Sequence, residues 1–168
     1  MKKWLPWIIV AVVVIGIYSW AKGFNNTAVT YEANAKTAWS NVESAYQRRA
    51  DLIPNLVSTV KGYAAHERET LEAVVNARAE ATKTTIDPTN LTPEKMAEFQ
   101  EAQQGLSGAL SRLLVTVERY PELKADKIFL ELQSQLEGTE NRINVTRDRF
   151  NEAVNTYDIH IKQFPGNL

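Results

Sequence analysis

The 168-residue chain contains no cysteine, which excludes a disulfide framework and a metal site built on thiolates. Its charged residues nearly balance, with 20 acidic and 19 basic side chains, and the formal net charge is −1. No strong electrostatic field is therefore available to steer nucleic acid or to hold the protein flat against anionic lipid. We expect no nucleic-acid partner.

Glycine and proline are also scarce, at seven and six residues, and most of them lie between segments with helical periodicity. Beyond residue 23 the chain is rich in Ala, Glu, Leu, Gln and Asn, and it lacks the alternating Val, Ile and Thr that are typical of strands. This composition predicts an all-α fold for residues 24–168, a length that fits one domain.

An uncharged apolar run extends from Trp4 to Ala21, and Lys2-Lys3 precedes it. About 18 helical residues at 1.5 Å each span roughly 27 Å, close to the hydrocarbon thickness of a bilayer. Trp and Tyr favour the bilayer interface, and four of them mark the edges of the run: Trp4, Trp7, Tyr18 and Trp20. We therefore predict that residues 1–23 form a transmembrane anchor, with the lipid bilayer as a partner.

The alternative for this segment is a cleavable signal peptide, because Ser19-Trp20-Ala21 has the small-x-small pattern of a cleavage site. With the anchor retained, the lysine pair before the run favours an N-terminus in the cytoplasm. The helical domain would then lie on the extracytoplasmic side of the bacterial inner membrane. Gly16 lies within the run and could pack against a second anchor, so we expect any homo-oligomer to form through the anchor.

Four helices are predicted after the anchor, near residues 24–49, 52–84, 93–119 and 125–164. Thr92-Pro93-Glu94 marks the start of the third helix with an N-cap, a proline in the first turn and an acidic residue near the positive end of the dipole. The fourth helix carries an apolar stripe at heptad spacing, which is typical of coiled-coil-like packing. These features predict an antiparallel up-and-down four-helix bundle.

Pro54 separates the first two predicted helices. Inside a helix its ring would clash with the carbonyl of Ala50, and Asp51 is a suitable N-cap for a new helix. We therefore predict a break between residues 49 and 52. Because the apolar register continues across Pro54, a single kinked helix is the alternative.

Two segments closely resemble signature sequences of the bacterial LemA family, namely residues 48–57 (RRADLIPNLV) and residues 119–125 (RYPELKA). Residues 149–154 (RFNEAV) and Phe164-Pro165 are similar as well, and the resemblance covers nearly the whole chain. It implies a single-pass membrane protein with an antiparallel four-helix domain, no established enzymatic activity and partners in the cell envelope. Family members usually continue past this Phe-Pro pair with an aromatic-rich tail. We do not expect the residues that follow Pro165, up to Leu168, to carry the role of that tail.

The sequence favours no catalytic or cofactor chemistry. A di-iron bundle needs two Glu-x-x-His pairs, but Tyr63 and Tyr157 stand three residues before His66 and His160. A G-x-S-x-G nucleophile motif and glycine-rich phosphate loops are absent from the sequence. We predict a membrane-anchored scaffold or adaptor that is not an enzyme and binds no cofactor. The alternative is a sensor bundle that binds a ligand, or a metal ion through both histidines.

A break at Pro54 would bring residues 48–55 and residues 119–125 together at the membrane-distal tip of the bundle. Phe164–Leu168 would then lie near the bilayer. We predict that this tip binds envelope proteins, because it gathers charges and an aromatic edge on rigid turns. The candidate residues are Arg48, Arg49, Asp51, Arg119, Tyr120, Glu122 and Lys124. The alternative is that both segments are only well-formed turns.

Overall fold

The computed structural model describes residues 4–87, 92–164 and 166, and every regular element within them is a helix. The helices are α1 (Leu5–Tyr63), α2 (Arg68–Lys83), α3 (Pro93–Val117), α4 (Pro121–Lys124) and α5 (Lys127–Lys162). No strand occurs among the described residues. The predicted all-α fold is therefore confirmed.

The N-terminal part of α1 is long and apolar enough to cross a membrane. None of its most apolar 18-residue segment is buried against the rest of the protein, as expected of a helix surrounded by lipid. The predicted apolar N-terminal helix is confirmed. Ser19-Trp20-Ala21, the small-x-small pattern, lies inside this helix rather than in a loop.

The predicted break at Pro54 is wrong, because α1 continues without interruption to Tyr63. Proline has no N–H, so the carbonyl of Ala50 loses the donor that a helix normally supplies four residues later. The guanidinium of Arg78 replaces that donor, since its Nε atom donates to the Ala50 oxygen at 2.7 Å. Asp51 is not an N-cap, and its carboxylate instead accepts a hydrogen bond from Gln47.

The boundary between the first two predicted helices moves as a result. Residues 52–63 of the predicted second helix belong to α1, and a turn at residues 64–67 leads into α2. The start of α3 is as predicted, because the Thr92 side chain accepts a hydrogen bond from the backbone N–H of Lys95. The predicted fourth helix corresponds to α5, which begins after the four-residue helix α4.

The chain forms two compact units, and both α1 and α5 contribute residues to each. Unit 1 contains residues 1–38 and 149–168, and unit 2 contains residues 39–148. The four-helix bundle was predicted for residues 24–168 as one body, and for that whole range it stays a prediction.

Within unit 2, segments of all five helices share one apolar core. Its buried side chains include those of α1 (Ile53, Leu56, Val60), α2 (Leu71, Val74, Ala81), α3 (Leu106, Leu110, Leu113, Val117), α4 (Leu123) and α5 (Phe129, Leu132). Trp39 and Tyr46 of α1 extend the packing by edge-to-face contacts with Phe99 of α3, at ring-centroid distances of 5.4 and 5.1 Å.

Unit 1 pairs the first part of α1 with the last part of α5 in antiparallel orientation. His160 stacks on Phe24 at a ring-centroid distance of 4.1 Å and meets the edge of Tyr31 at 5.3 Å. Its Nε2 atom lies 3.1 Å from the carbonyl oxygen of Phe24. At the end of the apolar run, the ring of Phe164 lies 5.9 Å from that of Trp20.

Candidate functional site

Unit 2 contains two groups of polar side chains that join its helices, and they differ in exposure. The first, which we call the central layer, consists of Arg49, Arg78, Gln103, Ser107 and Glu140. The second, which we call the turn cluster, consists of Tyr63, Glu67, Arg119, Tyr120 and Asp126.

Arg49 is the centre of the central layer and is only 3% exposed. Its guanidinium donates to both oxygens of Gln103, to the side chain at 2.8 Å and to the backbone at 3.2 Å. It also donates to the hydroxyl of Ser107 at 2.8 Å and to the carboxylate of Glu140 at 3.1 Å. The guanidinium carbon lies 5.1 Å from the centroid of the Tyr46 ring. A buried cation is thus compensated by one carboxylate, neutral acceptors and an aromatic ring.

One partner of Arg49, Gln103, is held by a further hydrogen bond. The amide nitrogen of Gln103 donates to the carbonyl of Ala81 at 3.0 Å, which leaves its side-chain oxygen free to face the guanidinium. Burial is the main cause that raises the pKa of Tyr46 above 10.0, and Arg147 and Arg49 oppose it. The central layer therefore sets how α1, α2, α3 and α5 meet, and it offers no exposed reactive group beyond Glu140.

Two cavities in unit 2 are small. One, of about 60 Å³, is bordered by Tyr46, Phe99 and Gln103, and a second, of about 200 Å³, lies between the end of α2 and the start of α3. Ligand pockets for organic molecules are typically about 300 Å³ or more. Neither cavity reaches that range.

The turn cluster lies where the 64–67 turn meets the connection from α3 to α5. One carboxylate oxygen of Glu67 accepts hydrogen bonds from Arg119 at 2.9 Å and from the Tyr120 hydroxyl at 2.8 Å. The hydroxyl of Tyr63 donates to Asp126 at 2.9 Å. Two connections that are far apart in sequence are therefore held together by side chains at the protein surface.

Hydrogen bonding also shifts the ionisation of this cluster. The carboxylate of Asp126 raises the pKa of Tyr63 above 10.0, and that of Glu67 raises the pKa of Tyr120, because each phenol is held as a neutral donor. The pKa of Asp126 is lowered from 3.8, first by the backbone N–H of Phe129 and then by Tyr63. Asp126 is in fact the N-cap of α5, since its side chain accepts from Phe129 at 2.9 Å.

The residues of the predicted tip do not lie together in the structure. Arg119 and Tyr120 belong to the turn cluster, and Lys124 lies on α4 and forms an ion pair with Glu118. Glu122 is exposed in the first turn of α4.

Arg48, Arg49 and Asp51 lie elsewhere, because α1 does not end before Pro54. Arg49 precedes Tyr63 by 14 helical residues, or about 21 Å along the axis. The predicted juxtaposition of these three residues with the 119–124 segment is therefore wrong.

Sequence reasoning missed Tyr63, Glu67 and Asp126 as members of one surface. The N-cap role of Asp126 could have been predicted, because an Asp directly before a helix and three residues before an apolar position is a typical N-cap. The two histidines belong to different units, with His66 on the 64–67 turn and His160 in unit 1. Among the described residues, no group of three or more His, Asp or Glu side chains has the geometry to hold a metal ion.

Comparison with known proteins adds a decisive observation, because residues 38–168 match the model of the LemA family. The chain belongs to the LemA family. The matched range contains both the central layer and the turn cluster. The protein is therefore a LemA-like, membrane-associated helical protein, in agreement with the resemblance of its sequence to LemA signature segments.

Individual LemA-like relatives are distant. The protein LemA of Metamycoplasma hominis is 24% identical over 158 residues, which cover 94% of this chain and 68% of the relative. Magnetosome protein MamQ 2 of Paramagnetospirillum magneticum is 28% identical over 159 residues, and MamQ of Magnetospirillum gryphiswaldense is 27% identical over 157. The matches cover 84% and 83% of this chain, but only 58% of either MamQ protein.

Proposed function

We propose that this protein is a membrane-anchored helical adaptor of the bacterial envelope, and that it binds protein partners through the turn cluster. The supporting observation is the difference in exposure between the two polar groups. The side chain of Arg119 is 67% exposed, whereas Arg49 is enclosed. An accessible surface with ordered side chains can bind a partner without first being assembled.

The composition of the turn cluster supports this role. Tyrosine and arginine are enriched at protein interfaces, since they combine a large contact area with directional hydrogen bonding. Here Glu67 fixes Arg119 and Tyr120 in place, so less side-chain entropy is lost when a partner binds. No reactive constellation accompanies them, and we propose no catalytic role.

We further propose that the anchor is retained, spans the inner membrane once and leaves the helical units outside the cytoplasm. Retention is supported by the ring contact between Trp20 and Phe164, which cleavage after Ala21 would remove. Any homo-oligomer would form through the anchor. Residues 24–168 alone should then sediment as a monomer at micromolar concentration, whereas a stable oligomer of that fragment would contradict this part of the proposal.

The adaptor role is tested by crosslinking in intact cells, with the partner identified by mass spectrometry. The test variant is Arg119→Glu/Lys124→Glu, which reverses the arginine of the turn cluster and the exposed lysine of the adjoining helix α4. The matched control is Arg48→Glu/Arg112→Glu, which makes the same change in net charge on exposed helix positions. We expect the test variant alone to lose the crosslinked partner while its helicity and melting match the control. Equal capture by both variants would contradict a role for the turn cluster.

A further inference from the structure

In unit 1 the end of α5 reaches the aromatic edge of the apolar run. The ring of Phe164 packs at 5.9 Å against Trp20, the last aromatic residue of that run. Trp20 belongs to the same uninterrupted helix as the apolar segment, so it marks the level at which the chain leaves the bilayer. The contact therefore puts the end of a second helix at that level.

Both rings stay open on their outer side. Phe164 is 70% exposed and Trp20 is 51% exposed, although they touch each other. In unit 2, by contrast, Trp39 is 2% exposed. Apolar aromatic surface is unfavourable in water but favourable at the boundary between headgroups and acyl chains.

The turn that carries Phe164 is anchored on α1. Gln163 closes the last turn of α5 by donating to the carbonyl of Ile159, and the N–H of Gly166 donates back to Gln163 at 2.7 Å. A Cβ atom at Gly166 would collide with the carbonyl of Ile161 and would lie 2.9 Å from the ring of Phe24. Only glycine fits this close approach, so the position of the turn against α1 is fixed by packing.

Basic residues flank the aromatic pair on both helices. Lys22 follows Trp20 by two residues, and Lys162 precedes Phe164 by two. Both lysines are exposed, and the Lys162 ammonium group also pairs with Asp158 at 2.8 Å. Lysine next to interfacial aromatics is the typical border of a membrane segment, because the ammonium group reaches the headgroups while its stem stays apolar.

We propose that the turn after α5, which carries Phe164, docks into the membrane interface, where Phe164 and Trp20 form one lipid-facing aromatic pair. The occupant of this open surface is the lipid bilayer, because the surface is continuous with the membrane span through Trp20. The membrane then holds unit 1 by both of its helices, although only α1 crosses the bilayer. This inference rests on the spanning anchor of the proposed function.

The absence of cysteine allows a direct test, since one introduced cysteine gives one spin-labelled site in the full chain. The label is attached at Gln163→Cys, next to an intact Phe164, in vesicles of phosphatidylcholine and phosphatidylglycerol. The collision rate of the spin label with oxygen, which concentrates in lipid, is compared with its collision rate with a water-soluble nickel chelate. Val115→Cys on α3, which is 72% exposed, is the aqueous control, and Val12→Cys within the apolar run is the lipid control.

We expect the label at residue 163 to collide several-fold less often with the nickel chelate than the label at residue 115. Adding Phe164→Ser should restore nickel access at residue 163 without changing residue 12. If residue 163 is as accessible as residue 115 while residue 12 is protected, the docking proposal is overturned and the anchor stands. If residue 12 is accessible as well, both proposals fail.

A second copy of the chain is the competing occupant of this surface. Its signature would be spin–spin broadening at residue 163 that disappears when the sample is diluted with unlabelled protein. That result would overturn the lipid assignment, whereas protection from nickel without such broadening supports it.

Discussion

The central layer and the turn cluster both join arginine to a glutamate that is distant in sequence, but they place the arginine in opposite environments. Arg49 is 3% exposed and uses its guanidinium on three other side chains and one backbone carbonyl. Arg119 is 67% exposed and makes one ion pair, with Glu67. The same chemistry therefore contributes to helix packing in one place and remains exposed at the surface in the other.

Replacing Arg49 should give the largest effect on stability. Arg49→Ala leaves the buried oxygen of Gln103 without its donor and opens space beside Tyr46, so we expect a loss of about 3 kcal/mol in unfolding free energy. Arg49→Met, which keeps most of the volume, should lose less. Both are measured by urea denaturation followed by circular dichroism.

The neighbouring Arg48 is the matched control, because it is exposed on the same helix and has the same side chain. Arg48→Ala should stay within about 0.5 kcal/mol of the wild type, as is usual for surface positions. Equal losses at residues 48 and 49 would mean that burial does not distinguish the two arginines.

A smaller loss is expected at the contact between Arg78 and Ala50. Arg78→Ala removes the donor that compensates for Pro54 and should cost about 1.5 kcal/mol, because a buried carbonyl is left unsatisfied. Pro54→Ala returns a helical N–H to the same oxygen, so the cost of Arg78→Ala should fall by about 1 kcal/mol in that background.

A double-mutant cycle measured by urea denaturation tests this coupling between Pro54 and Arg78. Arg112→Ala in both backgrounds is the control, since Arg112 is exposed and bonds only weakly within its own helix. Additive losses for Pro54 and Arg78 would contradict the proposed compensation.

In the turn cluster, the effect of Asp126 should depend on pH. Its folded-state pKa lies below 3.8, so its contribution to stability is present above that pH and is lost as pH falls through the folded pKa. Asp126→Asn should therefore be less stable than the wild type near neutral pH, and the difference should shrink below pH 3.8. Asparagine is also a good N-cap and can accept the same hydrogen bond from Phe129, so a difference that does not change with pH would contradict a contribution from the charge of Asp126.

The smallest effect is expected at Glu67, and it should appear in ionisation more than in stability. Glu67→Gln removes the carboxylate that raises the pKa of Tyr120, so this pKa should return toward 10.0. The stabilisation linked to Tyr120 is present below pH 10.0 and is lost as pH rises through the folded pKa. Alkaline titration with residue-specific NMR assignment is the measurement. The pKa of Tyr63, which depends on Asp126, should not move.

The sequence by itself determined the helical character of the chain, the exposed apolar helix at its N-terminus and the LemA-like signature segments. These features depend on local composition and periodicity, which can be recognised without knowing any tertiary contact. The start of α3 was equally readable, because Thr92 and Pro93 act on the backbone within one turn.

Only the tertiary structure decided where the first long helix ends. A proline inside a helix normally costs a hydrogen bond, and the sequence gives no sign that Arg78, 24 residues later, supplies the missing donor. That contact compensates for Pro54 while α1 runs on to Tyr63, which separates Arg49 from the end of α1 and brings Tyr63 to Asp126. Local propensity predicted a break, and a donor from another helix removed the reason for it.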